Sequence, residues 1–330
     1  MTELVATTPG LYPLPDWAKD ELSELKGHQK GDLISGDEGP EVRDAYERAR
    51  ADVVDAQADS DLDRIVEGQL RWDDMLAHPL AVHENVETGG IVRYYDNNNF
   101  YRDPQVQDEL TPSGDVAEEL SAVDADGDDL QAVLPGPYSL SDLATDEFYG
   151  DDADFLDAVA DFLAGEVAEF PAHETLFLLE PSLVENTPDD DANEHASEAI
   201  DRVADAADAD VVVHTYWGSI PERTYAHLMD ADVDAIGFDF VADADESLYN
   251  INEYGTKDAV AMGLVDGQNT LVESPETIRD RVEWVDENTH TDFDRAYITS
   301  NTELFYLPVN KFEAKLEALA DAATLAEVDA

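Results

Sequence analysis

Eight short apolar runs recur along the chain with amphipathic stretches between them, and this rhythm restricts the fold more than any other feature. The runs lie at Leu4–Thr7, Arg64–Glu67, Gln131–Leu134, Leu176–Leu179, Val211–Val213, Ala235–Phe238, Ala259–Gly263 and Ala296–Thr299. Most lack polar alternation, so they read as strands buried on both faces, as in a parallel sheet. Helical stretches separate them, at Glu41–Gln57, Phe155–Glu169, Asn193–Ala207, Pro221–Met229 and Pro275–Glu287, and Asn310–Ala326 closes the chain. Strand and helix in alternation predict an α/β fold with a parallel sheet. Eight such units in 330 residues favour a closed (β/α)8 TIM-like barrel over an open doubly wound sheet. No Gly-x-Gly-x-x-Gly or P-loop pattern follows any strand, which lowers the dinucleotide-binding and nucleotide-hydrolase readings. Glu87–Asp103 breaks the rhythm. It carries Gly89-Gly90 between short β-prone pieces and predicts a hairpin-like excursion after the second strand. No linker or short-period repeat interrupts residues 1–330, so a single barrel domain is expected.

Charge bears on the surroundings rather than on the fold. The chain has 79 acidic and 18 basic residues, a formal charge of −61. Such self-repulsion opposes compaction in dilute buffer, yet 43% of the residues are apolar and regularly spaced. The combination points to a folded protein adapted to concentrated salt, where the screening length falls to about 3 Å. Loss of structure on dialysis to low salt is the expected outcome, checked by circular dichroism in molar and millimolar KCl. The acidity argues against nucleic acid and anionic membranes as partners. No run approaches the roughly 18 apolar residues of a membrane span, and the first residues, MTELVATTPG, lack a signal-peptide pattern. A soluble, cytoplasmic protein is expected. The absence of cysteine excludes disulfides and thiolate metal sites.

In barrels of this kind the chemistry sits on the loops that follow the strands. Those positions hold Gly68-Gln69, Pro135-Gly136-Pro137-Tyr138, Glu180-Pro181-Ser182, His214 with Tyr216 and Trp217, Asp239, Asp266-Gly267, and Asn301-Thr302-Glu303. Acids, an imidazole and hydroxyls therefore converge on one rim. Each has a bland alternative: a strand-end His is often a satisfied core residue, and an Asp is unremarkable in so acidic a chain.

The ordered set of motifs resembles the cobalamin-independent methionine synthase family, within the superfamily that includes uroporphyrinogen decarboxylase. The matching pieces are DRIVEGQLRWDDM (Asp63–Met75), RYYDNNNFYRDP (Arg93–Pro104), LPGPYSLSDL (Leu134–Leu143), LLEPSLVEN (Leu178–Asn186), VVVHTYWGS (Val211–Ser219), AIGFDF (Ala235–Phe240), LVDGQNTLVESPETI (Leu264–Ile278) and ITSNTELFYLPVNKFEAKLEAL (Ile298–Leu319). The second and seventh are the most specific. Members transfer a methyl group from a methylated folate to homocysteine, with zinc held by a His-x-Cys pair, a Glu and a final Cys. Laid on this chain, the resemblance puts His214 at the histidine, Tyr216 and Thr302 at the two cysteines and Asp239 at the glutamate. His214 and Asp239 are thus remnants of an incomplete metal site. Gln69 stands where a glutamate is expected, and Leu179 where an aspartate precedes Glu-Pro.

Trp72 and YLPVNK after the eighth strand resemble the first, zinc-free barrel of the two-barrel family, so the chain looks like a stand-alone barrel of that type from a halophilic archaeon. That likeness assigns the Arg93–Pro104 segment to pterin or polyglutamate contact. Arg93 would supply charge, Tyr94, Tyr95, Phe100 and Tyr101 would stack, and Asp96 and Asn98 would hydrogen-bond a ring edge. The alternative is that these aromatics pack the hairpin onto the barrel. The implied activity is methyl transfer from a methylated folate or related pterin to homocysteine or another thiol, with zinc supplied by a separate barrel subunit or a weakened site and no intrinsic cofactor. Catalytic candidates are His214, Asp239 and Glu180. Gln69, Tyr216, Trp217 and Thr302 join the hairpin residues as substrate-binding candidates. Two further readings stand beside this one: a non-catalytic folate-binding or scaffold subunit, and a metal-independent superfamily enzyme using acid–base chemistry.

Overall fold

A computed structural model describes residues 2–23, 38–93, 95, 100–190 and 192–325. In chain order the elements are β1 (Glu3–Ala6), α1 (Asp16–Leu22), α2 (Pro40–Asp59), β2 (Ile65–Val66), α3 (His78–Ala81), β3 (Val86–Arg93), β4 (Phe100–Val106) and α4 (Asp115–Ser121). The chain continues through β5 (Leu130–Pro135), α5 (Pro137–Leu143), β6 (Thr145–Asp146), α6 (Asp152–Val167), β7 (Thr175–Leu179), α7 (Ser182–Glu185) and α8 (Ala192–Ala204). It ends with β8 (Asp210–His214), α9 (Glu222–Leu228), β9 (Ala235–Asp239), α10 (Ala244–Tyr254), β10 (Ala259–Val265), α11 (Pro275–Asn288), β11 (Arg295–Ser300) and α12 (Val309–Thr324).

Eight of the strands form one parallel sheet in the order β1-β11-β10-β9-β8-β7-β5-β2, curled as a TIM-like (β/α)8 barrel. All eight apolar runs become these strands, within a few residues of their expected bounds. Burial on both faces is why they lack polar alternation: every residue of β5, β7 and β9 is buried. Inside the barrel Phe177 and Tyr297 meet edge to face at 6.1 Å, each large ring stabilising by about 2–3 kcal/mol through burial alone. At the strand starts the Tyr297 hydroxyl donates to Asp210 Oδ2 at 2.9 Å, beside an Arg295–Asp210 ion pair. The helices carry ordinary start signals. Asp151 and Ser274 accept hydrogen bonds from the first turns of α6 and α11.

Among the described residues no strand ladder joins β1 to β2, and side chains take its place. The Asp63 carboxylate accepts from Ala6 N at 2.7 Å, and Asp63 N donates to Ala6 O. Gln57 of α2 then satisfies both backbone groups of Val66, each at 2.8 Å.

The excursion after the second strand is an antiparallel pair, β3 with β4, joined by a short parallel partner in β6. Gly89 and Gly90 lie within β3, where the register shifts between Thr88 and Ile91, so the pair marks a bulge rather than the turn. Short helices α1, α3, α4, α5 and α7 and the polar α10 were not expected from periodicity. No helix among the described residues is long and apolar enough to cross a membrane.

Candidate functional site

The strand-end residues meet at the C-terminal mouth of the barrel. At its centre is Asn301, directly after β11. The Asn301 side chain donates to both oxygens of Asp239, at 3.0 and 3.1 Å, and its backbone carbonyl pairs with His214 Nε2 at 2.9 Å. Asn301 Oδ1 in turn accepts from Gly267 N at 2.9 Å. One residue therefore ties together the ends of β8, β9, β10 and β11, its side-chain amide reaching Asp239 and Gly267 and its carbonyl reaching His214. Thr302 follows it, and its hydroxyl donates to the carbonyl of Glu303 at 3.2 Å.

Asp239 is saturated. Besides Asn301 it accepts from the backbone amides of Trp217, Val241 and Ala242 at 2.8–3.1 Å. Burial raises its carboxyl above the usual range, and those amides and Asn301 offset part of the rise. His214 is equally committed. It is fully buried, and burial holds its imidazole near 4, hence neutral. Its Nδ1 has no hydrogen-bond partner among the described residues and lies against the backbone of Gly237, where an added Cβ would come within 2.2 Å. Glycine at 237 is thus required by close approach rather than by backbone conformation.

On the adjoining arc Glu180 caps the start of α5. It accepts from Tyr138 N at 3.0 Å, Ser139 N at 2.8 Å and Ser139 Oγ at 2.6 Å, and burial pushes it up to about 7. Ser139 Oγ also accepts from Ser182 N at 3.0 Å, and Ser182 Oγ lies 2.8 Å from the Tyr95 hydroxyl. This chain of hydroxyls connects the hairpin segment to the barrel mouth. Tyr95 completes the link by meeting Trp217 edge to face at 5.2 Å, while Trp217 packs on Tyr216 at 4.8 Å. Tyr95 (φ 40°), Trp217 (φ 71°) and Gln69 (φ 51°) all adopt the left-handed region without being glycine. Such backbone strain concentrates at functional or over-determined sites.

Tyr216 and Glu303 complete the mouth and are its unfinished part. Both are buried, and neither the Tyr216 hydroxyl nor either Glu303 oxygen has a hydrogen-bond partner among the described residues. Burial pushes Glu303 up to about 7; the Gln268 side chain and Glu303's own amide approach without completing a bond and offset only part of this. Burial, reinforced by the nearby Glu303 charge, raises the Tyr216 phenol well above its usual value.

The remaining sequence candidates sit as follows. Gln69 is buried and structural, its Oε1 accepting from Leu11 N at 2.9 Å across the loops after β1 and β2. Tyr101 packs into the core, where burial raises its phenol to about 12. Arg93 lies over the Phe100 ring at 5.8 Å, and Ile91, Val92 and Phe100 are exposed. Tyr94, Asp96 and Asn98 lie outside the described residues.

The set His214, Tyr216, Asp239 and Thr302 does not fit zinc. Asp239 accepts four hydrogen-bond donors, His214 Nε2 is bound to a carbonyl and its Nδ1 is blocked by Gly237. The other two positions offer a phenol and a hydroxyl rather than sulfur.

One charged cluster was missed by sequence reasoning. His78, Asp115 and Glu119 converge on Arg71 and Trp72 under the loop after β2. Their separation along the chain and the general acidity left no pattern to find.

Residues 81–290 match the family described as cobalamin-independent synthase, N-terminal domain. Among curated relatives, the 5-methyltetrahydropteroyltriglutamate–homocysteine methyltransferase of Salinibacter ruber is 28% identical over 235 residues, covering 68% of this chain but only 30% of that protein. The methionine synthase of Saccharolobus solfataricus is 23% identical over 287 residues, covering 83% of this chain and 81% of the relative. A B12-independent methionine synthase from Shewanella sp. W3-18-1, solved in complex with selenomethionine, superimposes with a TM-score of 0.75 at 17% identity over 98% of this chain and 97% of that one. A putative vitamin-B12-independent methionine synthase from Listeria monocytogenes gives 0.70 at 16%, over 98% of both chains. At such identities the structural likeness shows the fold.

Proposed function

Because the chain belongs to the family of cobalamin-independent synthase N-terminal domains, we propose that it serves methyl transfer from a methylated folate or related pterin to homocysteine or another thiol. In this reading it acts beside a separate zinc-bearing barrel. The observation that carries the division of labour is the saturation of Asp239 by three backbone amides and Asn301. A carboxylate committed in this way staples loops, so activation of the thiol falls to another protein.

The contribution of this chain is binding and orientation of the donor. The exposed Phe100 ring, with the Arg93 guanidinium over it, offers a flat apolar face and a positive charge in an otherwise acidic protein. Tyr95 and Trp217 connect that face to the barrel mouth. The Salinibacter relative, a homocysteine methyltransferase by name, supports the substrate class.

The test is reconstitution in molar KCl with a zinc-bearing barrel from the same organism, following methionine formed from methylated folate and homocysteine. Omission of this chain is expected to abolish turnover, and an unchanged rate would overturn the proposal. The closed mouth favours one second reading, a folate-binding subunit without catalysis. Calorimetric binding of the donor with no turnover in any combination of partners selects it. Burial of His214, Asp239 and Glu180 weighs against a metal-independent acid–base enzyme.

A further inference from the structure

We propose that the barrel wall beneath the loop after β2 carries a divalent-cation site formed by His78, Asp115 and Glu119, in which the guanidinium of Arg71 is a tethered placeholder. One ligand atom from each of the three residues lies within 4.8 Å of the others. His78 Nε2 and Asp115 Oδ2 are 3.1 Å apart. Two ligands of a tetrahedral ion, each at about 2.0–2.1 Å, stand about 3.3 Å from one another. That pair therefore already has the spacing an ion requires.

The surroundings orient the set. The Trp72 ring stacks on the His78 imidazole at 5.2 Å and 9°, and its Nε1 donates to Glu119 Oε2 at 3.3 Å. Partners of this kind fix ligand orientation around metals. One imidazole with two carboxylates suits Zn²⁺, Co²⁺ or Mn²⁺.

Arg71 now supplies the positive charge. Its Nη1 donates to Asp115 Oδ1 at 3.2 Å and to Glu119 Oε1 at 2.8 Å, while Nη2 is 3.1 Å from Glu38 Oε1. A completed ion-pair network would use every buried donor and acceptor. Two atoms are left over instead. Arg71 Nε and Glu38 Oε2 are both buried without a partner among the described residues. They complement each other, since an Arg71 that left the two carboxylates could form a two-pronged pair with Glu38. A cavity of about 190 Å³ lined by Glu38, Arg43, Arg50, Arg71, Asp115 and Glu119 lies on the side of the network away from His78 and gives the Arg71 guanidinium room to move. Arg50 is held on Glu67 at 2.6 Å, with its Nη2 3.8 Å from Glu119 Oε1. This site shares no residue with the barrel mouth.

Chelator-treated full-length protein in molar KCl is titrated calorimetrically with Zn²⁺, and with Co²⁺ for its visible spectrum. One equivalent per chain is expected, and His214→Gln should leave uptake unchanged. His78→Gln and Glu119→Gln should each weaken binding by more than the roughly 10–100-fold that loss of an outer partner costs. Arg71→Met should tighten it by about tenfold or more, because a competing buried charge is gone; an arginine with a purely structural role would not do this. No saturable uptake by the unmodified protein, or uptake indifferent to His78 and Glu119, or no gain from Arg71→Met, overturns the proposal. If the ligand variants fail to fold, histidine ¹⁵N resonances of the unmodified protein decide it: a His78 shift on adding Zn²⁺ is required, and its absence is fatal.

Discussion

The mouth of the barrel and the β3–β4 hairpin use their side chains in opposite ways. At the mouth, His214, Asp239, Glu180, Thr302 and Glu303 are all buried, and most of their polar atoms are spent on neighbouring loops. On the hairpin, Ile91 is 66% exposed, Phe100 53% and Val92 41%. Apolar groups in water contribute little to folding, and clustered ones mark contact with something else. The polar residues that look catalytic are therefore holding the fold together, while apolar residues that look structural face outward.

The sharpest way to break this contrast is Asp239→Ala. It would strand three buried amides and the Asn301 side chain, so a loss of about 3–4 kcal/mol is expected in urea unfolding in molar KCl. A neutral effect would mean that Asp239 is not a staple.

Glu303 tests the unfinished part of the mouth. Its folded pKa of about 7 lies above the ordinary 4.5, so the folded state holds the proton more tightly. Stability from this group is full below pH 4.5, falls as pH rises toward 7, and stays low above it. Glu303→Gln should therefore stabilise by about 2–3 kcal/mol at pH 8 and remove that slope.

Gly237→Ala forces a Cβ onto His214 Nδ1 and should cost about 2 kcal/mol, mostly recovered in the His214→Ala background. Additive effects would show that the contact does not matter. The smallest effect on stability is expected from Phe100→Ala, within about 0.5 kcal/mol, although it should weaken methylated-folate binding by about tenfold. Unchanged donor affinity would return Phe100 to the role of a packing residue.

The strands were legible because burial on both faces leaves unbroken apolar runs, as in Val211–Val213, and because a barrel repeats that pattern eight times. Helix α10 escaped because its sequence ADESLYNINEY is mostly polar, with few buried contacts. Gly89-Gly90 signalled irregular backbone correctly but not its kind, since a bulge and a turn ask the same freedom of glycine. The placing of His214 and Asp239 on one rim followed from strand polarity alone. What sequence could not supply was how each group is occupied. Asp239 is bound mainly by backbone amides, which carry no residue identity, and the link from His78 to Asp115 spans 37 positions without a periodic signal.

The seam between β1 and β2 has a consequence for how the chain could be rewired. β1 lies in a continuous ladder with β11, so the first and last strands are neighbours, and its other edge is joined to the start of β2 through Asp63, whose carboxylate and amide both bond Ala6. A circular permutant that starts at α2 and appends β1 after α12 would interrupt no ladder. The boundary between first and last strand is in this sense a matter of chain order rather than of how the barrel is held.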